Sequence, residues 1–256
     1  MELHIHPPLS FSEPGERPNN QDFIFPEPGM ATARDRIFLV CDGIGGADRG
    51  EEASRIVGQQ VADYFLRNRP LIVNKVAMRE AMQEAYDCLK KYIEAHPLVS
   101  RMGTTLALLQ LHEQGASVVN LGDSRVYHVG RGGIKFCTTD HKQVCEMVEA
   151  GIITSEQAKT HPWRNRLSRA ILASSAALQD ESRDDRPDLT HLTNVEVGDY
   201  FFLCTDGVLE QLDETRLLAI LRTDATEEEK LQQLIAVCQH RTKDNFSGYL
   251  VCVNAV

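Results

Sequence analysis

The residues of this chain that could do chemistry are five aspartates, placed at the ends of apolar runs or inside tight turns. They are Asp22, Asp42, Asp123, Asp206 and Asp244. Burying several carboxylates near one another is costly, because like charges repel and lose their hydration. A divalent cation removes that cost, and Mg²⁺ and Mn²⁺ prefer carboxylate, carbonyl and water oxygens as ligands. The pattern therefore predicts an oxygen-ligand metal centre assembled from distant parts of the chain.

Asp42 is the strongest of these candidates, because it follows the apolar run 37–41 and precedes Gly43. A glycine lets the backbone approach an ion closely, so its carbonyl could itself be a ligand. An aspartate in this position could bridge two metals roughly 3.5–4 Å apart, an arrangement that activates a water for in-line attack on phosphorus. A single Asp-Gly pair more often marks a turn. The metal prediction depends on the recurrence of such strings in one chain.

The other aspartates and one arginine could complete the centre. Asp206 and Asp244 are predicted to fill the ligand shell of one ion, and Asp22 that of the other. Arg17 lies five residues before Asp22, and a guanidinium beside a metal pair is well suited to hold phosphate oxygens. An arginine in a loop is as readily a solvated charge, and the spacing leaves both roles open.

The composition excludes several other classes of protein. The 256 residues carry 27 basic and 37 acidic side chains and a formal net charge of −10, which disfavours nucleic acids and anionic membranes. The absence of a signal-peptide pattern and of any long apolar run predicts a cytoplasmic protein. Seven scattered cysteines without a C-x-x-C pair indicate reduced, buried thiols. The glycine-rich run 43–50 matches neither a P-loop nor a dinucleotide-binding motif.

The elements that must position these residues alternate between strands and helices. Apolar residues recur at helical spacing in 51–69, 78–93, 214–221 and 226–240. Strand-like segments lie at 37–41, 104–111, 116–121, 125–129, 134–138, 201–205 and 249–253. Residues 7–20 are predicted to be a loop, and 141–170 short helical pieces without a strand. Strands in hairpin order with pairs of long helices predict one antiparallel α+β domain with helices packed outside the sheets.

Seven short strings occur in a fixed order over nearly the whole chain. They are Arg17 with Asn20-Gln21-Asp22, Val40-Cys41-Asp42-Gly43-Ile44-Gly45-Gly46, Met102-Gly103-Thr104-Thr105, Asn120-Leu121-Gly122-Asp123-Ser124-Arg125, Thr139-Asp140-His141, Cys204-Thr205-Asp206-Gly207 and Asp244-Asn245. Together they resemble the motifs of the metal-dependent protein phosphatases, the PPM or type 2C serine/threonine phosphatases. The helical segment 141–170 is predicted to be an insertion in this domain. With Glu156-Gln157-Ala158 and His161-Pro162-Trp163-Arg164, it resembles the flap of the compact bacterial members.

The resemblance implies a fold and a role for each site residue. The fold would be an α+β, four-layer α-β-β-α sandwich of two antiparallel sheets flanked by helix pairs, in a single domain 1–256 with a flap at about 141–170. By this resemblance, Asp42 would bridge both ions and the Gly43 carbonyl would ligate one of them. Asp206 and Asp244 would bind the first ion, and Asp22 would reach the second through water. Arg17 would hold the substrate phosphate. Asp123 either borders a third, weaker metal site with Asp206 or only braces its turn.

The activity implied by the resemblance is hydrolysis of phosphoserine and phosphothreonine by a metal-activated water, with two Mg²⁺ or Mn²⁺ ions and no phosphoenzyme. The implied partners are phosphorylated proteins and a bacterial serine/threonine kinase that the enzyme opposes, and a monomer is expected. Two alternatives stay open: a catalytically silent module that binds phosphoproteins, and a hydrolase of small phosphoesters. A silent module would be expected to have lost a ligand, and Asp22, Asp42, Asp206 and Asp244 are all present.

Three departures from the family pattern bear on mechanism. Ile44 stands where animal relatives carry a histidine assigned as general acid, which leaves the proton donor unassigned. The segment 170–175 replaces an expected Leu-Gly turn and leads into the charged stretch 174–190, with Asp180, Glu181, Asp184, Asp185 and Asp188; both leave the geometry of the flap open. Phe246-Ser247 replaces a small β-branched pair after Asp244-Asn245, which retains the ligand and changes its packing.

Overall fold

The computed structural model describes residues 3–44, 49–174 and 186–255. Its strands are β1 (His4–Ile5), β2 (Leu9–Glu13), β3 (Asp22–Phe25), β4 (Ile37–Asp42), β5 (Arg101–Thr104), β6 (Leu106–His112), β7 (Gly115–Leu121), β8 (Arg125–Gly130), β9 (Gly133–Cys137), β10 (Ile171–Ser174), β11 (Asp188–Leu192), β12 (Tyr200–Cys204) and β13 (Phe246–Ala255). Its helices are α1 (Gly50–Asn68), α2 (Lys75–Ala95), α3 (Gln143–Glu149), α4 (Ser155–Thr160), α5 (Asp206–Leu209), α6 (Glu214–Leu221) and α7 (Glu227–Cys238).

Two antiparallel sheets form the middle of the molecule. One has the order β1-β13-β12-β8-β9, with β2 also paired to β13, and the other has the order β11-β7-β6-β4-β3. Each pairing between these strands is antiparallel. A third, two-stranded sheet of β5 and β10 was not predicted.

The strands divide the interior into three apolar layers, because alternate residues face opposite sides of a sheet. In β4, Leu39 and Cys41 pack with α1 and α2, whereas Phe38 and Val40 lie between the two sheets. In β12, Phe202 packs with residues of α5, α6 and α7 in the third layer. Helices therefore cover both outer faces, and the predicted α-β-β-α sandwich is confirmed.

Side-chain caps fix the starts of α2 and α7. The Asn74 side chain accepts hydrogen bonds from the backbone N–H groups of Val76 and Ala77 at the start of α2, and Thr226 and Glu229 form a capping box on α7. Caps of this kind stabilise a helix by about 1 kcal/mol each. The four predicted long helices are present with ends shifted by up to three residues. Among the described residues, no helix is long and apolar enough to span a membrane.

Several short elements were predicted wrongly or missed. Residues 7–20 do not form a loop throughout, since β2 pairs with β13 and Phe11 lies opposite Gly248. The predicted strand 104–111 is divided at Thr105 into β5 and β6. The elements β10, β11 and α5 were not predicted. Each is at most five residues long, too short for its own periodicity to identify it.

The insertion has the predicted helical character, with α3 and α4 and no strand across residues 141–170. An isolated bridge between Lys142 and Leu167 joins the two ends of the insertion. Asp188 begins β11. Several residues singled out in the sequence lie outside the described residues: Gly45, Gly46, Ser175, Asp180, Glu181, Asp184 and Asp185.

Candidate metal centre

Three of the predicted aspartates meet at one end of the sandwich, two of them carried by one sheet and the third by the other. Asp22 begins β3 and Asp42 ends β4, and the antiparallel register pairs them directly. Asp206 follows β12 of the other sheet and begins α5. The preceding residue, Thr205, donates its Oγ1–H to Asp22 Oδ2 over 2.9 Å. The ends of three strands therefore bring these aspartates together.

The three carboxylates are buried close to one another, so their crowding disfavours ionisation. Burial raises the pKa of Asp22 to about 7 and that of Asp206 to about 6. Burial also raises the pKa of Asp42 well above its ordinary value, and the charges of Asp206, Asp22 and Asp123 raise it further. The charge of Asp244 acts on both Asp22 and Asp206 in the same direction. All five predicted aspartates thus share one electrostatic environment.

The donors present fit a hard divalent cation. Asp22 Oδ1 is buried and has no hydrogen-bond partner among the described residues. A buried, unpaired carboxylate oxygen beside other carboxylates is strongly unfavourable unless a cation neutralises it. No group of three or more His, Cys, Asp and Glu side chains in the described part of the chain is arranged to hold a metal as it stands. The residues therefore match a divalent cation in the type of their donor atoms, in their burial and in their uncompensated negative charge. They do not form a complete coordination shell.

Gly43 is required by a close approach of three backbone segments. Its N–H donates to the carbonyl of Gln21 over 3.0 Å. A Cβ added at position 43 would lie 2.4 Å from the Gly50 carbonyl oxygen and 2.8 Å from that of Gln21. Any other residue would push α1 away from the end of β4. The structure thus places the Gly43 peptide next to Asp42, and its role as a carbonyl ligand stays a prediction.

Two threonines hold the backbone of Asp42. Thr105 Oγ1 accepts a hydrogen bond from the Asp42 N–H over 3.0 Å, and Thr104 Oγ1 donates to the Asp42 carbonyl over 2.7 Å. Thr105 Oγ1 also lies 2.7 Å from Ser124 Oγ. No role was predicted for these threonines, although they belong to one of the seven strings. Their function is to fix the direction in which Asp42 leaves its strand.

Arg17 and Asp244 form an exposed pair at the rim of the centre. Arg17 Nη2 donates to Asp244 Oδ2 over 3.0 Å, and the two side chains are 54% and 40% exposed. Exposed ion pairs contribute roughly 0–1 kcal/mol, so a ligand can separate these two groups at little cost. The predicted phosphate-holding arginine therefore lies beside a predicted metal ligand.

Asn245 connects the loop that carries Arg17 to the start of β3. Its Oδ1 accepts from the Gln21 N–H over 2.8 Å, and its Nδ2 donates to the carbonyls of Pro14 and Asn19 over 2.9 Å and 2.8 Å. Asn245 is buried. The residue follows Asp244 in a matched string, and its role in positioning the loop was not predicted.

Asp123 lies on the side of the centre nearest the insertion. It is buried in the turn between β7 and β8, after Gly122, whose φ of +109° favours glycine. Lys142 Nζ lies 2.9 Å from Asp123 Oδ2 and 3.6 Å from Asp140 Oδ2. Lys142 was not predicted to belong to the site, because no local pattern distinguishes a lysine that pairs with a distant carboxylate.

A groove of about 550 Å³ lies apart from the carboxylates. It is lined by residues of α2, by Arg169 and by residues 186–189, and none of the predicted ligands borders it. In its wall Arg169 pairs with Asp188 over 3.0 Å. Asp188 also contacts His141 Nε2 over 3.1 Å, and His141 Nδ1 accepts from the Gly122 N–H. The groove is thus joined to the turn that carries Asp123.

The fold and the centre together define a metal-dependent hydrolase built on an α-β-β-α sandwich. The family model for protein phosphatase 2C matches residues 16–237. The chain belongs to the protein phosphatase 2C family.

Individual proteins similar to this chain agree with that assignment. The serine/threonine phosphatase stp of Listeria monocytogenes is 28% identical over 219 residues, covering 84% of this chain and 83% of that protein. The crystal structure of serine/threonine phosphatase Stp1 from Staphylococcus aureus is 26% identical with a TM-score of 0.79, covering 100% and 98% of the two chains. The catalytic domain of PstP in complex with two manganese ions has the same fold, at 24% identity and a TM-score of 0.77, covering 98% and 99%.

Proposed function

We propose that this chain is a metal-dependent protein serine/threonine phosphatase that hydrolyses phosphoserine and phosphothreonine. The observation that carries the proposal is the meeting of Asp22, Asp42 and Asp206 at one end of two sheets, with raised pKa values and an unpaired buried oxygen. The names of the similar phosphatases support a phosphorylated serine or threonine as substrate. The net charge of −10 disfavours a nucleic-acid substrate.

The proposed ligands of Mg²⁺ or Mn²⁺ are four aspartates and one backbone carbonyl. Asp42 pairs with Asp22 across β3 and β4 and would help to hold both ions, together with the Gly43 carbonyl beside it. Asp206 and Asp244 would help to hold one ion, and Asp22 the other. When bound, the ions lower the pKa of a water and polarise the phosphoryl group. The carboxylates supply the negative charge that retains these cations next to an anionic substrate.

The chain's own residues then orient the substrate and maintain the site. Arg17 exchanges its exposed contact with Asp244 for the phosphate oxygens, which its planar fork of N–H groups fits. Thr205 and Asn245 keep Asp22 and the Arg17 loop in place. Ile44 has no titratable group, so the proton for the leaving oxygen comes from elsewhere than this position.

The substrates, the localisation and the oligomeric state of the enzyme are part of the same proposal. The substrates are phosphorylated proteins, and a bacterial serine/threonine kinase produces them. The protein acts in the cytoplasm as a monomer. Analytical ultracentrifugation tests the monomer directly, and a concentration-dependent dimer would contradict it.

The experiment that tests the activity compares phosphopeptides with and without metal. We expect Mn²⁺-loaded protein to release phosphate from phosphoserine and phosphothreonine peptides faster than from phosphotyrosine peptides, and EDTA to stop the reaction. Asp42→Asn should be inactive, while Asp63→Asn on the outer helix α1 should keep full activity. Turnover that survives EDTA or Asp42→Asn would contradict the mechanism.

The same assay separates the two alternatives. Binding of phosphopeptide by the Mn²⁺-loaded protein without release of phosphate would support a silent binding module. Hydrolysis of p-nitrophenyl phosphate without hydrolysis of any phosphopeptide would support a hydrolase of small phosphoesters.

A further inference from the structure

A positively charged side chain lies among the carboxylates on the side of the centre nearest the insertion. Lys142 Nζ is 2.9 Å from Asp123 Oδ2 and 3.6 Å from Asp140 Oδ2, and its side chain is 15% exposed. Both aspartate side chains are 6% exposed. The positive charge of Lys142 also acts on Asp206, in opposition to the negative charge of Asp123.

The backbone around Lys142 holds this ammonium in place. Lys142 immediately precedes α3 and forms an isolated antiparallel bridge with Leu167. The next residue, Gln143, donates its N–H to the Arg166 carbonyl over 2.9 Å. The Lys142 carbonyl accepts from Cys145 over 2.9 Å. The lysine thus extends from the base of the insertion, where both ends of the segment are hydrogen-bonded together.

Asp123 depends on Lys142 more than Asp140 does. Arg125 donates to both oxygens of Asp140, from Nε over 2.6 Å and from Nη2 over 2.9 Å, so Asp140 keeps a bidentate partner without the lysine. For Asp123, Lys142 Nζ is the one cationic group within ion-pair distance among the described residues. A buried carboxylate is neutralised either by a fixed cation of the protein or by a bound one.

We infer that the Lys142 ammonium takes the place of a third metal ion between Asp123 and Asp206, so that this chain works with two ions. The inference rests on the proposed metal-dependent function and specifies the occupant of one part of its site. An ammonium can donate hydrogen bonds but cannot coordinate and activate a water as a metal does. Lys142 is therefore a positioning residue that holds Asp123 and the base of the insertion beside Asp206.

The test counts bound ions rather than turnover. Mn²⁺ is titrated by isothermal calorimetry and counted by native mass spectrometry for the wild-type protein, Lys142→Met and the control Lys135→Met. Lys135 pairs with Glu196 and Asp199, away from the centre. We expect two ions in the wild type and in the control, and a third in Lys142→Met, with at least a tenfold gain in affinity for that ion. Adding Asp123→Asn to Lys142→Met should remove the third ion.

The outcomes distinguish this inference from the proposed function. Failure of the wild-type protein to bind Mn²⁺ would contradict both, whereas three ions in the wild type, or two in both the wild type and Lys142→Met, would overturn the inference alone. Far-ultraviolet circular dichroism checks that the variants are folded. If Lys142→Met does not fold, the crystal structure of the wild-type protein soaked in Mn²⁺ provides the test. We expect it to contain two ions, with Lys142 paired to Asp123. An ion bound to Asp123 would overturn the inference.

Discussion

Thr205 and Asp22 join the two sheets at the metal end of the sandwich, through a hydrogen bond of 2.9 Å from Thr205 Oγ1 to Asp22 Oδ2. The same hydroxyl oxygen accepts the N–H of Ser247 over 3.0 Å. One buried side chain therefore links β12, β13 and β3. Since the carboxylate it holds is a predicted metal ligand, this contact fixes the spacing of ligands that belong to different sheets.

Thr205→Val should weaken metal binding and stability together. Valine keeps the shape of threonine but leaves the buried Ser247 N–H without this acceptor, which costs about 1–3 kcal/mol of unfolding free energy. Loss of a side chain that orients a ligand typically lowers metal affinity by about 10–100-fold. Urea denaturation and Mn²⁺ titration measure the two effects, with Thr190→Val on β11 as the control. Unchanged Mn²⁺ affinity would show that Thr205 does not position Asp22.

Asp42→Asn should have opposite effects on stability in the presence and absence of metal. Without metal, replacing one of the crowded carboxylates should raise the unfolding free energy, because burial and the neighbouring carboxylates disfavour the ionised form of Asp42. With Mn²⁺, the variant should be less stable than the wild type because it loses a ligand, and turnover should fall at least about a hundredfold. Thermal denaturation with EDTA and with Mn²⁺ measures both signs. A decrease in stability under both conditions would mean that Asp42 is structural.

The long elements of the fold could be predicted because their burial leaves a regular pattern. The strand that ends at Asp42 is apolar on both faces, since Leu39 packs under α1 and Phe38 packs between the sheets. By contrast, β2 has few buried residues, and its pairing with β13 is set by the sheet rather than by its own sequence. Short edge elements of this kind have no periodicity of their own to find.

The candidate ligands could also be predicted, whereas the residues that position them could not. Asp22, Asp42 and Asp206 stand at strand ends in recognisable strings. Thr205 looks like an ordinary strand residue, and its contact with Asp22 exists only when the two sheets are packed. Lys142 reaches Asp123 only because the β8–β9 hairpin returns the chain to the same turn. Interactions created by tertiary packing have no signal in the local sequence.

Arg17→Ala should affect substrate binding more than the chemical step. Its contact with Asp244 is exposed, so the stability should change by less than about 0.5 kcal/mol. Loss of a guanidinium that holds phosphate should raise KM for a phosphopeptide about tenfold and change kcat only a few-fold. Arg55→Ala, which removes a surface pair with Glu52 on α1, is the matched control. Equal KM values for Arg17→Ala and the control would remove Arg17 from the phosphate site.

A second buried ionic group lies away from the metal centre and bears on pH stability. His128 Nε2 lies 2.7 Å from Asp199 Oδ2, and Lys135 Nζ lies 2.9 Å from the same oxygen. His128 is fully buried and stacks on Phe201. Burial lowers the pKa of His128 although the hydrogen bond to Asp199 and the charge of Asp199 act in the opposite direction. The histidine is therefore neutral in the folded protein, with the Nε2 hydrogen directed at Asp199.

His128 should make the folded protein lose stability as the pH falls below about 6.5. In that range the unfolded chain binds more of a proton at this position than the folded protein does, so the slope contributed by His128 is at most about 1.4 kcal/mol per pH unit. His128→Gln retains an N–H for Asp199 and should show a shallower loss. His112 and His141, whose pKa values are also lowered by burial, are unchanged in the variant and cancel in the difference.

Urea denaturation between about pH 7.5 and pH 5 measures the slopes, with His6→Gln on the surface as the control. Equal slopes for the wild type and His128→Gln would show that His128 binds its proton over the same pH range in the folded and unfolded states, and would contradict the prediction.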